Sequence, residues 1–310
     1  MEFVTLEEIR GARARIEKAA RYTPLIDVEG LRLKCENLQP MGAFKIRGAF
    51  NMISQLSPEQ LKRGVITYSS GNHGQAVALA AKTLGAPAVI VMPTTAPAVK
   101  VEGCKSYGAE VIMAGTTSLD RQARAENEAR ERGLTIVPPF DHRLIVIGQG
   151  TTGLEILEQC PDVGTVFVPA GGGGLVSGVS AAIKLSNPAV RIVAVEPAGA
   201  PKMSRSLEAG HPVTLDSSAS IADGLMNLRP GDLTFAHVQK YVDEVVTVPE
   251  ADIAGAVAWL FKHARIVAEP SGAITTAAVR LGLGHPTGKV VAIVTGGNVA
   301  PEAFAKYLAG

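Results

Sequence analysis

From Val166 to Gly178 the chain reads Val-Phe-Val-Pro-Ala-Gly-Gly-Gly-Gly-Leu-Val-Ser-Gly. A short apolar, β-rich run enters four consecutive glycines, and a small-residue pattern over 176–185 leaves them as a helix. Glycines carry no Cβ, so their N–H groups can converge on one point. A helix N-terminus adds unpaired donors and a partial positive charge of roughly half a unit. That geometry suits a phosphate or another compact anion. No Lys-Ser or Lys-Thr pair follows the glycines, which argues against a Walker-type nucleotide loop. A glycine-rich turn that merely packs stands as the alternative.

Strand and helix signals alternate through the rest of the chain. Apolar β-rich runs at 31–36, 64–68, 87–92, 110–113, 135–137, 191–195, 244–248 and 289–294 predict strands. Helical patterns occupy 98–107, 118–132 and 251–264, with another starting at Glu269 and Pro270. Thr5 can cap a first helix that Glu8 answers three residues later, and residues 21–25 end it. Residues 144–160 predict a helix broken near Gly148 and Gly150. Such alternation implies α/β architecture: two open, mostly parallel βα domains covered by helices, with ligands at the carboxyl ends of the strands. Pro138-Pro139-Phe140-Asp141 reads as a crossing point. The expected division is a discontinuous larger domain, 1–50 with 141–310, and a small mobile one, 51–140.

Two further loops carry chemistry. Gly42-Ala43-Phe44-Lys45-Ile46-Arg47-Gly48-Ala49 sets Lys45 between two apolar residues at a helix start. A lone lysine is usually solvated; held in an apolar pocket its pKa falls, and the amine can form a Schiff base with an aldehyde. Ser69-Ser70-Gly71-Asn72-His73-Gly74-Gln75-Ala76 follows a strand and opens a helix. Its hydroxyls, amide and backbone donors suit a carboxylate, with a well-capped turn as the plainer reading. His73 reads as a packed residue before it reads as a base.

Net charge is +1, which excludes a strong field for nucleic acid or an acidic membrane. No apolar stretch spans a bilayer and the N-terminus lacks a signal-peptide pattern, so a cytoplasmic location is the default expectation. The scattered Cys35, Cys104 and Cys160 suggest neither zinc nor a disulfide framework.

Together with Thr295-Gly296-Gly297-Asn298, these strings stand in an order that resembles the threonine dehydratase and serine racemase group of fold-type II pyridoxal-phosphate enzymes, whose fold is tryptophan synthase β-like. The resemblance covers nearly the whole chain. It implies that Lys45 bears the cofactor pyridoxal 5′-phosphate, with Phe44 against its ring and Asn72 on its 3-hydroxyl. Gly171, Gly172, Gly173 and Gly174 would hold the phosphate, and Thr295 would face the pyridine nitrogen. Ser69, Ser70, Gly71 and His73 would close on the carboxylate of an amino-acid substrate, with Ser70 acting on the face opposite the lysine.

Three positions depart from the group. Ala43 replaces the usual serine, Thr295 the usual serine or cysteine, and Lys202 an acidic ligand of the racemase's divalent cation, for which Glu196 and the Ala200 carbonyl remain as candidates. An ammonium at Lys202 could stand in for that cation's charge. The implied activity is dehydration of L-threonine and L-serine, with threonine favoured. The alternative is a serine racemase with side dehydratase activity. A homodimer or homotetramer is the group's expectation. The chain stops soon after its final helix, so the regulatory domain of biosynthetic threonine dehydratases is not expected. An NAD(P)-dependent oxidoreductase is a more distant reading. Glu196 ends a strand about where a ribose-binding acid belongs, but the glycine spacing departs from the dinucleotide fingerprint and Lys45 stays unexplained.

Overall fold

The computed structural model of the protein describes residues 2–69, 71–96, 98–116 and 118–309. The chain opens with α1 (Leu6–Ile16), β1 (Leu25–Val28), β2 (Leu31–Cys35), α2 (Ile46–Ile53) and α3 (Pro58–Arg63). Then come β3 (Val65–Thr67), α4 (Asn72–Thr83), β4 (Ala88–Met92), α5 (Ala98–Ser106), β5 (Glu110–Met113), α6 (Ser118–Arg132) and β6 (Thr135–Ile136). The second half holds α7 (Arg143–Gln159), β7 (Val163–Pro169), α8 (Gly174–Ser186), β8 (Arg191–Pro197), α9 (Lys202–Ala209), α10 (Asp232–Tyr241) and β9 (Glu244–Val248). It ends with α11 (Glu250–Trp259), α12 (Pro270–Arg280), β10 (Lys289–Val294) and α13 (Pro301–Ala309).

The strands form two sheets. The larger runs β1-β2-β10-β7-β8-β9 and the smaller β5-β4-β3-β6. Every pairing is parallel except β1 with β2. The α/β expectation of two mostly parallel sheets therefore holds. All five residues of β4 are buried, as are five in succession in β7, because helices cover both faces. The smaller sheet shares its core with α2: Ile46, Phe50 and Ile53 pack with Val65, Val77 and Ile90. The expected boundary after residue 50 falls inside that helix.

Three local expectations need correction. First, α7 is unbroken through its glycines. They serve close packing instead: a Cβ at Gly148 would lie 2.7 Å from the Cα of Gly48, and one at Gly150 would lie 3.0 Å from the Gly178 carbonyl. Second, α1 stops at Ile16, short of the expected end, and the chain then forms β1 at Leu25–Val28, which sequence patterning missed. Glu29 and Gly30, both at positive φ (55° and 85°), turn β1 back onto β2. Third, α11 ends at Trp259 and passes into a single π turn, Leu260–Ala264, closed by Arg265 at φ 57°. Among the described residues no helix is long and apolar enough to cross a membrane.

Candidate active site

Parallel strands bring their carboxyl ends to one edge. At the edge of the larger sheet β7 runs into the glycine loop, β8 into 198–200, and β10 into Thr295. At the edge of the smaller sheet β3 runs into 68–71 and α4. The two edges meet. Asn72 Nδ2 donates to Glu269 Oε1 at 2.6 Å, and Asn298 Nδ2 donates to Asn72 Oδ1 at 2.8 Å. Lys100 and Asp223 also bridge the halves, at 2.6 Å.

Lys45 immediately precedes the first residue of α2. Its segment is threaded along the chain that follows β10: Phe44 N–H donates to the Thr295 carbonyl at 3.0 Å, Ala43 bridges Gly296, and Gly297 N–H donates to the Gly42 carbonyl at 2.9 Å. The Lys45 ammonium donates to the Pro139 carbonyl at 2.8 Å and lies 5.1 Å from the centre of the Phe44 ring. No carboxylate pairs with it among the described residues. Burial alone pushes its pKa down to about 8.

The glycine loop is open to an anion. The N–H groups of Gly171, Gly172, Gly173 and Gly174 find no acceptor among the described residues. They head α8, whose first residue is Gly174, and Gly173 stands at φ +100°, which a side chain rarely tolerates. A Cβ at Gly172 would lie 2.4 Å from the Phe140 ring. Residues 139–140 thus connect the two parts, one accepting from Lys45 and the other lying on the loop. Thr234 Oγ1 donates to the Gly172 carbonyl at 2.6 Å. Asp141 accepts from the N–H groups of Asp232, Leu233 and Thr234 at 3.1–3.2 Å, capping α10 and fixing Thr234.

The Thr295 hydroxyl is buried and donates to the Ser271 carbonyl at 3.2 Å. His73 is buried; its Nε2 donates to the Val137 carbonyl at 3.0 Å, which leaves Nδ1 unprotonated and without a partner among the described residues. Burial and then the Lys45 charge depress its pKa to about 3, so the ring is neutral. The N–H groups of Asn72, His73 and Gly74 open α4 without an acceptor among the described residues. Ser69 and Gly71 lie in this loop; Ser70 lies outside the described residues.

Glu196 and Ala200 meet Lys202. The fully buried Lys202 ammonium donates to the carbonyls of Ala170, Ala200 and Leu225 at 2.8, 3.1 and 2.9 Å, and Glu196 Oε2 lies 3.4 Å away. Met203 and Ser204 donate the remaining hydrogen bonds to Glu196. Both candidate cation ligands therefore already face a cation that the chain carries itself. Among the described residues no group of three or more His, Cys, Asp and Glu side chains is disposed to hold a metal ion.

Sequence reading missed Glu269, Phe140, Asp141 and Thr234 as site residues. Pro139 and Phe140 stood in a segment already marked as a crossing point; Glu269 was visible only as the residue before a helix-starting proline.

A free-standing amine, an anion-ready loop and a buried hydroxyl at one edge fit an aldehyde that carries a phosphate and a ring nitrogen. The family model described as pyridoxal-phosphate dependent enzyme matches residues 13–296. An L-threonine ammonia-lyase of Thermotoga maritima is 44% identical over 304 residues, covering 96% of this chain and 76% of the relative. A serine racemase of Oryza sativa subsp. indica is 42% identical over 308 residues, covering 95% of this chain and 91% of the relative. The solved structure of maize serine racemase superposes with a TM-score of 0.95 at 40% identity, over 99% of this chain and 98% of that one.

Proposed function

The chain belongs to the pyridoxal-phosphate dependent enzyme family, and from that premise we propose that it is an L-threonine/L-serine ammonia-lyase converting L-threonine to 2-oxobutanoate and ammonia. It has the fold-type II architecture, its relatives include threonine ammonia-lyases and serine racemases, and its family uses pyridoxal 5′-phosphate. The observation that carries the reading is the Lys45 amine: part-buried, without a carboxylate partner among the described residues, and joined through residues 139–140 to a loop whose N–H groups find no acceptor among them.

In this reading Gly171 to Gly174 take the phosphate, Phe44 lies against the ring, Asn72 meets its 3-oxygen and Thr295 its nitrogen. Bound there, the cofactor supplies an aldehyde and a ring that withdraws the electron pair left at the α-carbon. Lys45, whose neutral form dominates above about pH 8, takes the α-proton. The N–H groups at the start of α4 bind the substrate carboxylate, and His73 ties that turn to Val137. Thr295 offers a neutral hydroxyl where a carboxylate would hold a proton on the ring nitrogen. A weaker electron pull favours prompt loss of the β-hydroxyl. A donor for that leaving group is worth roughly 10²–10⁴-fold, and Ser70 is the residue we assign to the face opposite Lys45. We take the smaller sheet, β3 to β6, with its covering helices as the part that closes on the substrate, and the protein as a cytoplasmic homodimer or homotetramer.

Threonine and serine differ by one methyl group, which an apolar pocket separates by only about 1–3 kcal/mol, so both should react. The nearly equal identity to a serine racemase supports a second reading, racemisation with side elimination. Purified protein with L-threonine, L-serine and D-serine, assayed for oxo acid and for the opposite enantiomer, separates the two. Dominant enantiomer formation would replace the lyase reading. A protein that stays colourless with pyridoxal phosphate would remove both.

A further inference from the structure

The Asn72 carboxamide is held at both ends by residues to which the reaction above gives no part. Asn298 Nδ2 carries two hydrogens; one goes to the Met41 carbonyl at 2.9 Å and the other to Asn72 Oδ1 at 2.8 Å. That arrangement fixes which way round the Asn72 amide stands. Its oxygen faces Asn298, so its nitrogen faces Glu269, whose Oε1 accepts at 2.6 Å. One Asn72 N–H is used there and one remains.

Glu269 is itself anchored. Its N–H donates to the Gly296 carbonyl at 3.0 Å, and its own carbonyl accepts from Gly272 and Ala273 in the first turn of α12. The side chain caps nothing in its own helix; it crosses to the opposite half of the site. A Cβ on Gly296 would lie 2.3 Å from Glu269 Oε1, so that glycine gives the carboxyl its room. Glu269 has no ion-pair partner among the described residues; the charged groups that act on it, Asp223 and Lys100, are paired with one another. Burial and then the Asp223 charge push its pKa up to about 8. At neutral pH it is mainly an uncharged acceptor. It can orient an amide without setting a full negative charge beside the cofactor oxygen.

We propose that Glu269 and Asn298 are positioning residues that clamp the Asn72 carboxamide and reserve its second N–H for the 3-oxygen of pyridoxal phosphate. This rests on the reading of Asn72 given above. The clamp works through the position of an acceptor, so Gln at 269 preserves it and Ala does not. Removing Asn298 releases the other end.

The test uses the full chain with pyridoxal phosphate and compares wild type with Glu269→Gln, Glu269→Ala, Asn298→Ala and the double alanine variant. The readouts are the visible absorption spectrum, cofactor Kd and the thermal midpoint. Each single alanine variant should lose part of the visible band to shorter wavelength and weaken cofactor binding roughly fivefold, the loss of about one hydrogen bond. Glu269→Gln should keep the wild-type spectrum. The double variant should be little worse than either single one, because a clamp fails when one jaw is removed. If Glu269→Ala does not fold, Asn298→Ala tests the same clamp from the other side. A coloured wild type whose variants keep its spectrum and Kd overturns the clamp alone, as does a Glu269→Gln variant as damaged as Glu269→Ala. A colourless wild type overturns the cofactor reading and the clamp together.

Discussion

Lys45 and Arg47 stand two positions apart at the start of α2, and the protein treats their charges in opposite ways. Arg47 is fully buried and spends its guanidinium on two carboxylates. Nε and Nη2 reach Glu36 at 2.7 Å each, while Nη1 and Nη2 reach Glu155 at 2.6 and 2.9 Å. Lys34 closes the cluster on Glu155, Gln159 and the Thr23 carbonyl. Among the described residues the Lys45 ammonium donates only to the Pro139 carbonyl. Burial lowers the pKa of an unpaired cation and frees its amine, whereas the carboxylates around Arg47 overcome burial and raise it further. Glu36, which burial alone would raise, is held below 4.5 by the Arg47 charge. One helix start thus presents an amine without a carboxylate among the described residues and, two positions on, a guanidinium fixed between two carboxylates.

The largest break of that contrast is Lys45→Ala. On the function proposed above, ammonia release should fall by at least about 10³-fold, since Lys45 would be both the cofactor anchor and the base. The cofactor-free protein should melt no lower than wild type, because the group removed is a part-buried ammonium with no carboxylate partner among the described residues. Activity within tenfold of wild type would show that the solitary amine is not the working one.

Arg47→Met should do the reverse and act on stability. It leaves Glu36 and Glu155 buried without their shared partner, which costs about 3–5 kcal/mol, read as a lowered denaturant midpoint. Arg47→Lys should recover only part, because an ammonium cannot fork between two carboxylates. The pair also sets an acid limit. The stability Glu36 contributes is complete above its unfolded pKa near 4.5 and is lost as pH falls through its depressed folded value.

A pH profile sharpens the comparison without mutation. The neutral Lys45 amine is the form that captures an aldehyde. Cofactor capture by cofactor-depleted protein should therefore rise about tenfold per pH unit up to about 8 and level off above it. His73 stays neutral throughout this window and adds no inflection. A profile still climbing toward 10.5 would mean that Lys45 is an ordinary solvated lysine.

The two cations were not equally legible in the sequence. Lys45, the glycine loop and the 295–298 turn lie in short strings whose residue types suggest the chemistry proposed for them, and βα alternation declares the sheets. Arg47 lay inside the quoted string, yet Glu155 is 108 positions away and Glu36 precedes the helix. Nothing local marks a carboxylate as someone else's partner. The same blindness hid Glu269, 197 positions from Asn72, and the Lys202 cage of carbonyls, which any residue can supply. Glycines in α7 misled for a related reason. Their propensity argues for a break, but the contact that justifies them is made to another helix.

The smallest effect tests whether the two cations are independent. Thr151 Oγ1 accepts from Arg47 Nη1 at 3.1 Å and donates to the Gly148 carbonyl at 2.7 Å. Thr151→Val removes the hydroxyl at nearly constant volume and leaves the four carboxylate bonds of Arg47 in place. It should cost about 1 kcal/mol, one modest hydrogen bond, and Thr151→Ser should cost less. The midpoint for cofactor capture at Lys45 should not move, because among the described residues no polar contact joins Thr151 to that amine. If the midpoint shifts with stability, the paired cluster sets the position of the reactive lysine, and the two charges form a single device.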